Sequence, residues 1–146
     1  MLKPEVILKY FNHLNENDFS DPAPLKQISV VEHQIGIIFP DDYKEFLIFT
    51  NGLSQKSLYE TEFTFSYFIS VEEITKHTKR NCGEYFPWAI FIGSDGGNEM
   101  YVIDKRQNPI QFGLLPFIGT DEDFIPLGNT FEQFISRIFN GTAFDK

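Results

Sequence analysis

The segment Trp88-Ala89-Ile90-Phe91-Ile92 constrains the fold more than any other part of the chain. Its side chains are all apolar, so a strand formed here is hydrophobic on both faces. Such a strand is typical of the interior of a sheet that other elements cover on each side. The pattern therefore predicts a central strand with a layer packed against each of its faces.

Weaker patterns on both sides of this segment predict its neighbours. Residues 99–103 follow a turn at residues 94–98 and fit an antiparallel strand. A second turn, at residues 104–109, leads to a short strand at residues 110–112, which completes a meander. Apolar and polar side chains alternate over residues 59–69, and this alternation indicates another, half-buried strand.

Helical spacing of apolar residues predicts a first helix from Pro4 to about Asn15. The tetrapeptide Ser29-Val30-Val31-Glu32 fits a capping box, in which each end of the motif pairs with a free backbone N–H. We therefore expect a second helix to begin near Ser29 and to end at Gly36.

Three further helices are predicted from similar signals. Pro40-Asp41-Asp42 opens one of them, with carboxylates at its positive end, and Asn51-Gly52 ends it. Ser70-Val71-Glu72-Glu73 fits a capping box for a helix that runs to about Lys79. Thr130-Phe131-Glu132-Gln133 opens the last helix, which carries a strong apolar stripe.

Length and composition agree with this mixture of elements. The chain has 146 residues, 42% of them hydrophobic and 17 of them Phe, which favours a packed core over disorder. We predict an α+β fold: a single domain over residues 1–146. Its mainly antiparallel sheet has about four to six strands surrounded by helices.

The charge balance limits the kinds of partner that the chain can bind. Lys and Arg number 12 and Asp and Glu number 21, so the formal net charge is −9. This charge disfavours direct binding to a nucleic acid and favours a basic protein. The predicted partner-binding residues are acidic side chains expected on the surface, and an ordinary solvated surface is the alternative explanation for each of them. They are Glu60, Glu62, Asp121, Glu122 and Asp123.

No residue pattern in the sequence predicts a catalytic, metal or cofactor site. The glycine run at residues 93–98 does not have the spacing of a phosphate-binding loop, and a tight turn explains it better. Its acidic residues lack the series of ligands that a calcium-binding EF-hand requires. Cys82 is the single cysteine, so no internal disulfide can form, and we expect its thiol to be inert. The three histidines lie on separate predicted helices without zinc-ligand spacing.

The N-terminus lacks the apolar run of a signal peptide, and no segment is apolar for long enough to predict a membrane span. We therefore expect a cytoplasmic protein that does not enter a membrane.

Several motifs taken in order resemble the SUKH superfamily, of the Smi/Knr type. The resemblance spans about Ile28 to the C-terminal helix. The motifs that carry it are Ser29-Val30-Val31-Glu32, Ile35-Gly36, Phe39-Pro40-Asp41-Asp42-Tyr43-Lys44-Glu45-Phe46-Leu47, Asn51-Gly52, Ile92-Gly93-Ser94-Asp95-Gly96-Gly97 and Thr130-Phe131-Glu132-Gln133-Phe134-Ile135.

This resemblance implies an α+β domain that bacteria often use as an immunity protein against a polymorphic toxin. It implies no catalytic residues, and it suggests that the recurring glycines and Asn51 are architectural. The leading expectation is a noncatalytic immunity protein for a cognate toxin, with a basic nuclease domain as one candidate. A general intracellular interaction module, similar to the eukaryotic cell-wall assembly regulators of the family, is the alternative. A small hydrolase or ligand-binding enzyme built around the glycine turn is a third.

Overall fold

A computed structural model describes residues 9–11, 18–53 and 67–140 of the chain. Within these ranges, five strands form one antiparallel sheet in the order β1-β2-β3-β4-β5. The strands are β1 (Tyr67–Phe68), β2 (Ala89–Ser94), β3 (Glu99–Asp104), β4 (Gln111–Pro116) and β5 (Ile125–Gly128). The helices are α1 (Leu25–Ile35), α2 (Asp41–Phe49), α3 (Ile74–Asn81) and α4 (Phe131–Phe139), with 3₁₀ turns at Val71–Glu73 and Asp121–Asp123. Residues 9–11 are also helical.

This architecture confirms the predicted α+β class and the central strand. All six residues of β2 are buried. Ile90 and Ile92 face the main core, which α1, α2 and α4 cover, whereas Phe91 faces a second, smaller apolar cluster on the opposite side of the sheet. The alternation continues on β3 and β4, so the middle of the sheet has a hydrophobic layer on each face.

Aromatic rings fill the main core. The Phe46 ring of α2 lies 4.7 Å from the Phe131 ring of α4, and the Phe131 ring also contacts Phe68 of β1 and Phe112 of β4. Tyr43 contacts the rings of Phe46, Phe112 and Phe131 as well. Such pairs add to the free energy gained by burying apolar area, and here they hold two helices against the sheet.

The start of α1 corrects one prediction. The helix begins at Leu25 after Pro24, so Ser29 is an exposed residue within it and forms no cap. Glu32 is buried instead: its carboxylate accepts a 2.7 Å hydrogen bond from the Phe39 backbone N–H and lies 3.7 Å from the Lys44 ammonium. The capping-box pattern was misleading because Glu32 pairs with residues beyond the helix. Gly36 ends the helix as predicted.

The predicted capping box at Ser70 is also wrong. The Ser70 side chain caps nothing, and the side chain of Asn51 takes that role from a different part of the chain. Its oxygen accepts a hydrogen bond from the Val71 N–H at 2.8 Å, and its nitrogen donates to the Glu72 carboxylate at 2.9 Å. Asn51 therefore does more than follow the end of α2. It joins that end to the beginning of the next helical segment.

Both carboxylates predicted at the start of α2 are present, but they act differently. Asp42 accepts hydrogen bonds from the backbone N–H groups of Phe131 and Glu132 at 3.0 and 2.9 Å, and so caps α4 rather than its own helix. The predicted capping box of Thr130 and Gln133 is confirmed at the same helix end. The N-terminus of α4 is thus satisfied both locally and from α2.

The strands differ from their predicted extents at three places. β4 runs on to Pro116, beyond the predicted residues 110–112, and β5 was not predicted. Pro126 and Gly128 make β5 a poor strand by sequence, yet it pairs with β4 at the edge of the sheet, where proline is tolerated. Of the strand predicted at residues 59–69, only residues 67–69 are described, and Tyr67–Phe68 form β1. Most of the helix predicted from Pro4 to Asn15 also lies outside the described residues.

We expect Asp42→Ala to lower the free energy of unfolding by about 1–2 kcal/mol, because two backbone donors of α4 lose their acceptor. Asp41→Ala is the matched control, since Asp41 is an exposed carboxylate in the same helical turn. Asp41→Ala should lower the free energy of unfolding by only about 0.5 kcal/mol, because a favourable charge at the helix N-terminus is lost. Urea unfolding of both variants measures the difference, and equal losses would contradict the role of Asp42 as a cap of α4.

Tyr43 is fully buried, and its hydroxyl has no hydrogen-bond partner among the described residues. Because an unpaired buried hydroxyl is unfavourable, Tyr43→Phe should raise the free energy of unfolding by about 1 kcal/mol. Tyr43→Leu should lower it by about 2 kcal/mol, because it removes the ring contacts as well. Thermal and urea unfolding test this pair, and a clear loss of stability in the Phe variant would show that the hydroxyl is bonded.

Candidate protein-interaction surface

Two connections meet at one end of the sheet. The turn at residues 95–98 joins β2 to β3, and residues 117–124 lead from β4 to β5, so the antiparallel order places both connections at this end. A 2.9 Å hydrogen bond from the Phe117 N–H to the Asn98 carbonyl oxygen links them directly. We call this region the acidic end and define it by residues 95–99 and 117–123.

The polar groups of the glycine turn are largely used to form the turn itself. The Asp95 carboxylate accepts hydrogen bonds from the N–H groups of Gly97 and Glu99 at 2.7 and 3.2 Å, and the Ser94 hydroxyl accepts one from Gly96. Gly96 has a φ of 82°, a conformation that favours glycine. Because the Gly96 and Gly97 amides already have partners, the geometry favours a structural turn over a phosphate cradle.

Asp121 is tied by a hydrogen bond to Trp88, which belongs with Phe91 to the smaller apolar cluster on the second face of the sheet. The Trp88 indole N–H donates to the Asp121 carboxylate at 2.9 Å, and the Arg106 guanidinium lies 3.7 Å from the centre of the Trp88 ring. Arg106 in turn donates two hydrogen bonds to the buried Asp104 carboxylate. This chain of contacts holds the loop of Asp121 against the face of the sheet, so Asp121 has a structural role whether or not it also binds a partner.

The other two acids of this 3₁₀ turn differ from each other. The Asp123 carboxylate accepts a 2.8 Å hydrogen bond from the Thr120 N–H and completes a capping box. Glu122 is exposed, and its carboxylate makes no hydrogen bond or ion pair with the described residues. The structure thus brings Asp121, Glu122 and Asp123 together, but leaves only Glu122 without a structural role in the described part of the chain. Glu60 and Glu62, the other predicted contacts, lie outside the described residues.

Glu99 belongs to the same region, although the sequence did not predict it as a contact. Partial burial raises the pKa of the Glu99 carboxyl, and the nearby Asp95 and Asp123 carboxylates raise this pKa further. Within the part of the chain that the structure describes, no hydrogen bond or ion pair compensates its charge. Spacing along the sequence could not reveal this, because Asp123 comes close to Glu99 only after β4 has paired with β3.

An apolar loop lies among these carboxylates. Ile118 is 95% exposed, whereas its neighbour Phe117 is 37% exposed and places its ring 6.2 Å from the buried ring of Phe91. Isolated exposed apolar residues are common on protein surfaces. Ile118 differs because the backbone on each side of it is fixed, by the Phe117–Asn98 hydrogen bond and by the Thr120–Asp123 cap.

The remaining candidate groups for chemistry are the Cys82 thiol and the three histidines. Burial raises the pKa of the Cys82 thiol to about 12, which disfavours the reactive thiolate. His77 stacks on Phe91, and burial, followed by the charge of Arg80, lowers its pKa. His33 is exposed and His13 lies outside the described residues. No group of side chains that could hold a metal ion occurs in residues 9–11, 18–53 and 67–140.

The sequence profile of the SMI1/KNR4 family (SUKH-1) matches residues 22–137. The chain belongs to the SMI1/KNR4 family. It is also similar to the uncharacterised protein YnaB of Bacillus subtilis (strain 168), with 33% identity over 131 residues that cover 86% of this chain and 84% of YnaB. The resemblance predicted from the motifs is therefore confirmed.

The family match extends over the whole acidic end, from the glycine turn to the Asp121–Asp123 turn. This surface is thus built on the SMI1/KNR4 fold itself and not on an appended segment. Among the described helices, none is long and apolar enough to cross a membrane.

We expect Glu99→Gln to stabilise the protein at pH 7. A raised pKa means that Glu99 ionises more easily in the unfolded chain, so its charge lowers the free energy of unfolding once the pH rises above the ordinary value of 4.5. The variant should therefore melt at a higher temperature than wild type at pH 7, and the two should converge at pH 3. Calorimetry at both pH values measures this difference, with the exposed Glu122→Gln as the matched control. A lower melting temperature of Glu99→Gln at pH 7 would contradict this argument.

Proposed function

We propose that this chain is a noncatalytic immunity protein that binds and neutralises a cognate bacterial toxin domain. The observation that carries the proposal is membership of the SMI1/KNR4 family over residues 22–137, because this family supports an immunity-protein-like role. The family does not identify the toxin. We therefore choose the class of toxin from the charges and the surface of this chain.

Electrostatics favours a basic toxin domain as the partner. The chain has a formal net charge of −9, and part of that charge is concentrated at the acidic end. Nuclease domains approach phosphates and are therefore often basic, so an acidic protein attracts them and accelerates the encounter. A nuclease is thus the toxin class that these charges fit best. Inhibition then follows from covering the active site or from binding beside it.

The proposal assigns neutralisation to binding alone. The thiol of Cys82 is buried and its pKa is raised to about 12, which makes it a poor nucleophile. The amides of the glycine turn are engaged within the turn, so they are not available to stabilise a developing negative charge on a substrate. We further propose that the protein acts in the cytoplasm, where a toxin produced by the same cell would otherwise cause damage.

Coexpression with the toxin encoded beside the gene of this chain tests the proposal. The toxin domain alone should arrest growth, and the chain should restore growth and copurify with the toxin as a complex. A catalytically inactive toxin provides the control, since it should bind equally well without arresting growth. Lack of both rescue and complex formation would refute the immunity function. Rescue without a complex would refute neutralisation by binding.

Genomic context distinguishes the immunity function from the alternative, a general interaction module. A general interaction module needs no neighbouring toxin gene and should bind several proteins of the same cell. If the neighbouring genes encode no toxin and the purified chain copurifies with unrelated partners, the interaction module replaces the immunity protein as the explanation.

A further inference from the structure

We propose that Ile118 is the apolar anchor of the partner interface, and that the carboxylates of the acidic end select a basic segment of the partner protein. This inference rests on the proposed function, because it identifies the surface through which a toxin domain would be bound. It adds an apolar contact and Glu99 to the acidic residues predicted from the sequence.

Ile118 is exposed and yet held in place by the backbone on each side of it. Its side chain is 95% exposed, while the Phe117 ring lies against Phe91 and the Phe117 N–H bonds to the Asn98 carbonyl. On the other side, the Thr120–Asp123 capping box fixes the following turn. A side chain on such a fixed loop loses less conformational entropy on binding than one on a mobile loop. Ile118 can therefore contribute most of its apolar area to a contact.

Two of the carboxylates of the acidic end, Glu99 and Glu122, have no counter-ion among the described residues. Asp95 and Asp123 add further negative charge close to Glu99. The described salt bridges join Lys44 to Glu32, His77 to Glu73 and Arg106 to Asp104, and of these cations Arg106 also acts on Asp121 of the acidic end. Lys or Arg side chains of a partner would supply the missing positive charge.

This charge also decides between a different protein and a second copy of this chain. Two copies that met through their acidic ends would place like charges opposite each other, which is unfavourable. A basic segment of a different protein would place its cations opposite the carboxylates. An apolar pocket between those cations would receive the Ile118 side chain. The carboxylates at this end of the sheet, together with the exposed Ile118 side chain, therefore favour a basic protein over self-association.

Ile38 offers a matched comparison for Ile118. It is also an exposed isoleucine, 71% accessible, but it lies beside Lys105 in a groove at the opposite end of the sheet. The two residues thus share their type and exposure, but Ile38 lines a groove with Lys105, whereas Ile118 lies on the connection that carries Asp121, Glu122 and Asp123. A basic partner should use Ile118 and not Ile38.

The decisive experiment measures the affinity of the inactive toxin domain for Ile118→Ser and Ile38→Ser by calorimetry. Serine removes the apolar side chain without adding charge, and both sites are exposed enough for the variants to fold, which thermal unfolding checks. Ile118→Ser should weaken binding by about tenfold or more, as expected for an interface hot spot, and Ile38→Ser should leave the affinity unchanged. An unchanged affinity of Ile118→Ser would overturn this surface while leaving the immunity function intact.

Association rates test the carboxylates separately. Glu122→Gln should slow association by about threefold at low salt, and the effect should fade as salt is added. Asp41→Asn removes one exposed charge near the opposite end of the sheet and should have little effect. Equal slowing by both variants would mean that net charge alone steers the partner, and this result would contradict a specific role of the acidic end.

A titration with a synthetic peptide of alternating Lys and Leu tests the surface without the toxin. Amide chemical shifts of the isotopically labelled chain should change at residues 95–99 and 117–123, and these changes should weaken in Ile118→Ser. Changes confined to other residues, or no changes at all, would overturn the surface. If wild type binds this peptide at the acidic end but does not bind the toxin domain, the surface stands and the immunity proposal fails.

Discussion

Burial of both faces of β2 is the constraint on which the other parts of the structure depend. A strand without a polar face needs a layer on each side, and the chain supplies α1, α2 and α4 on one side and the smaller Trp88 cluster on the other. Its edge must also be covered, because within the described residues β1 pairs with Gly93 and Ser94 but not with the earlier residues of β2. Thr78 of α3 accepts the Phe91 N–H, and the Ile69 N–H reaches the Ile92 carbonyl. Once β2 is enclosed in this way, the connections at its ends are left to form the surface.

The charges of the molecule divide into two groups with different roles. Buried or partly buried carboxylates are paired: Glu32 with the Phe39 N–H and Lys44, Asp42 with the first amides of α4, and Asp104 with Arg106. The pairing of Asp42 connects α2 to α4, which are distant in sequence. The carboxylates of the acidic end include Glu99, whose raised pKa shows that its charge is unfavourable in the folded protein. Charge that reduces stability and lacks an internal partner is typical of a binding surface.

Local patterns predicted the elements that depend on neighbouring residues. The capping box of Thr130 and Gln133 and the helix end at Gly36 were identified correctly, because their partners lie within a few residues. The meander from β2 to β4 was identified correctly because short turns join its strands. The two incorrect capping boxes show what local patterns do not predict. Glu32 and Ser70 match the pattern by type. In the structure, however, the Glu32 carboxylate accepts a hydrogen bond from the Phe39 N–H, and the Val71 N–H donates to the Asn51 side chain. Packing between elements determined those partners, and the local pattern did not predict them.

The candidate surface, too, was predicted only in part from the sequence. Composition alone showed an acidic chain that should meet a basic partner, and three of the acids predicted as contacts, Asp121, Glu122 and Asp123, do lie together. Which of them are engaged in the fold was decided by the position of Trp88 and by the cap of Thr120.

The sequence by itself determined the family, the α+β class and the sign of the charge, because these follow from residue types and short spacings. Only the tertiary structure brought Glu99 and Ile118 to the same end of the sheet as the acidic turn. Their proximity depends on the pairing of β3 with β4 and on the Phe117–Asn98 hydrogen bond, and these contacts form between segments that local periodicity treats as independent.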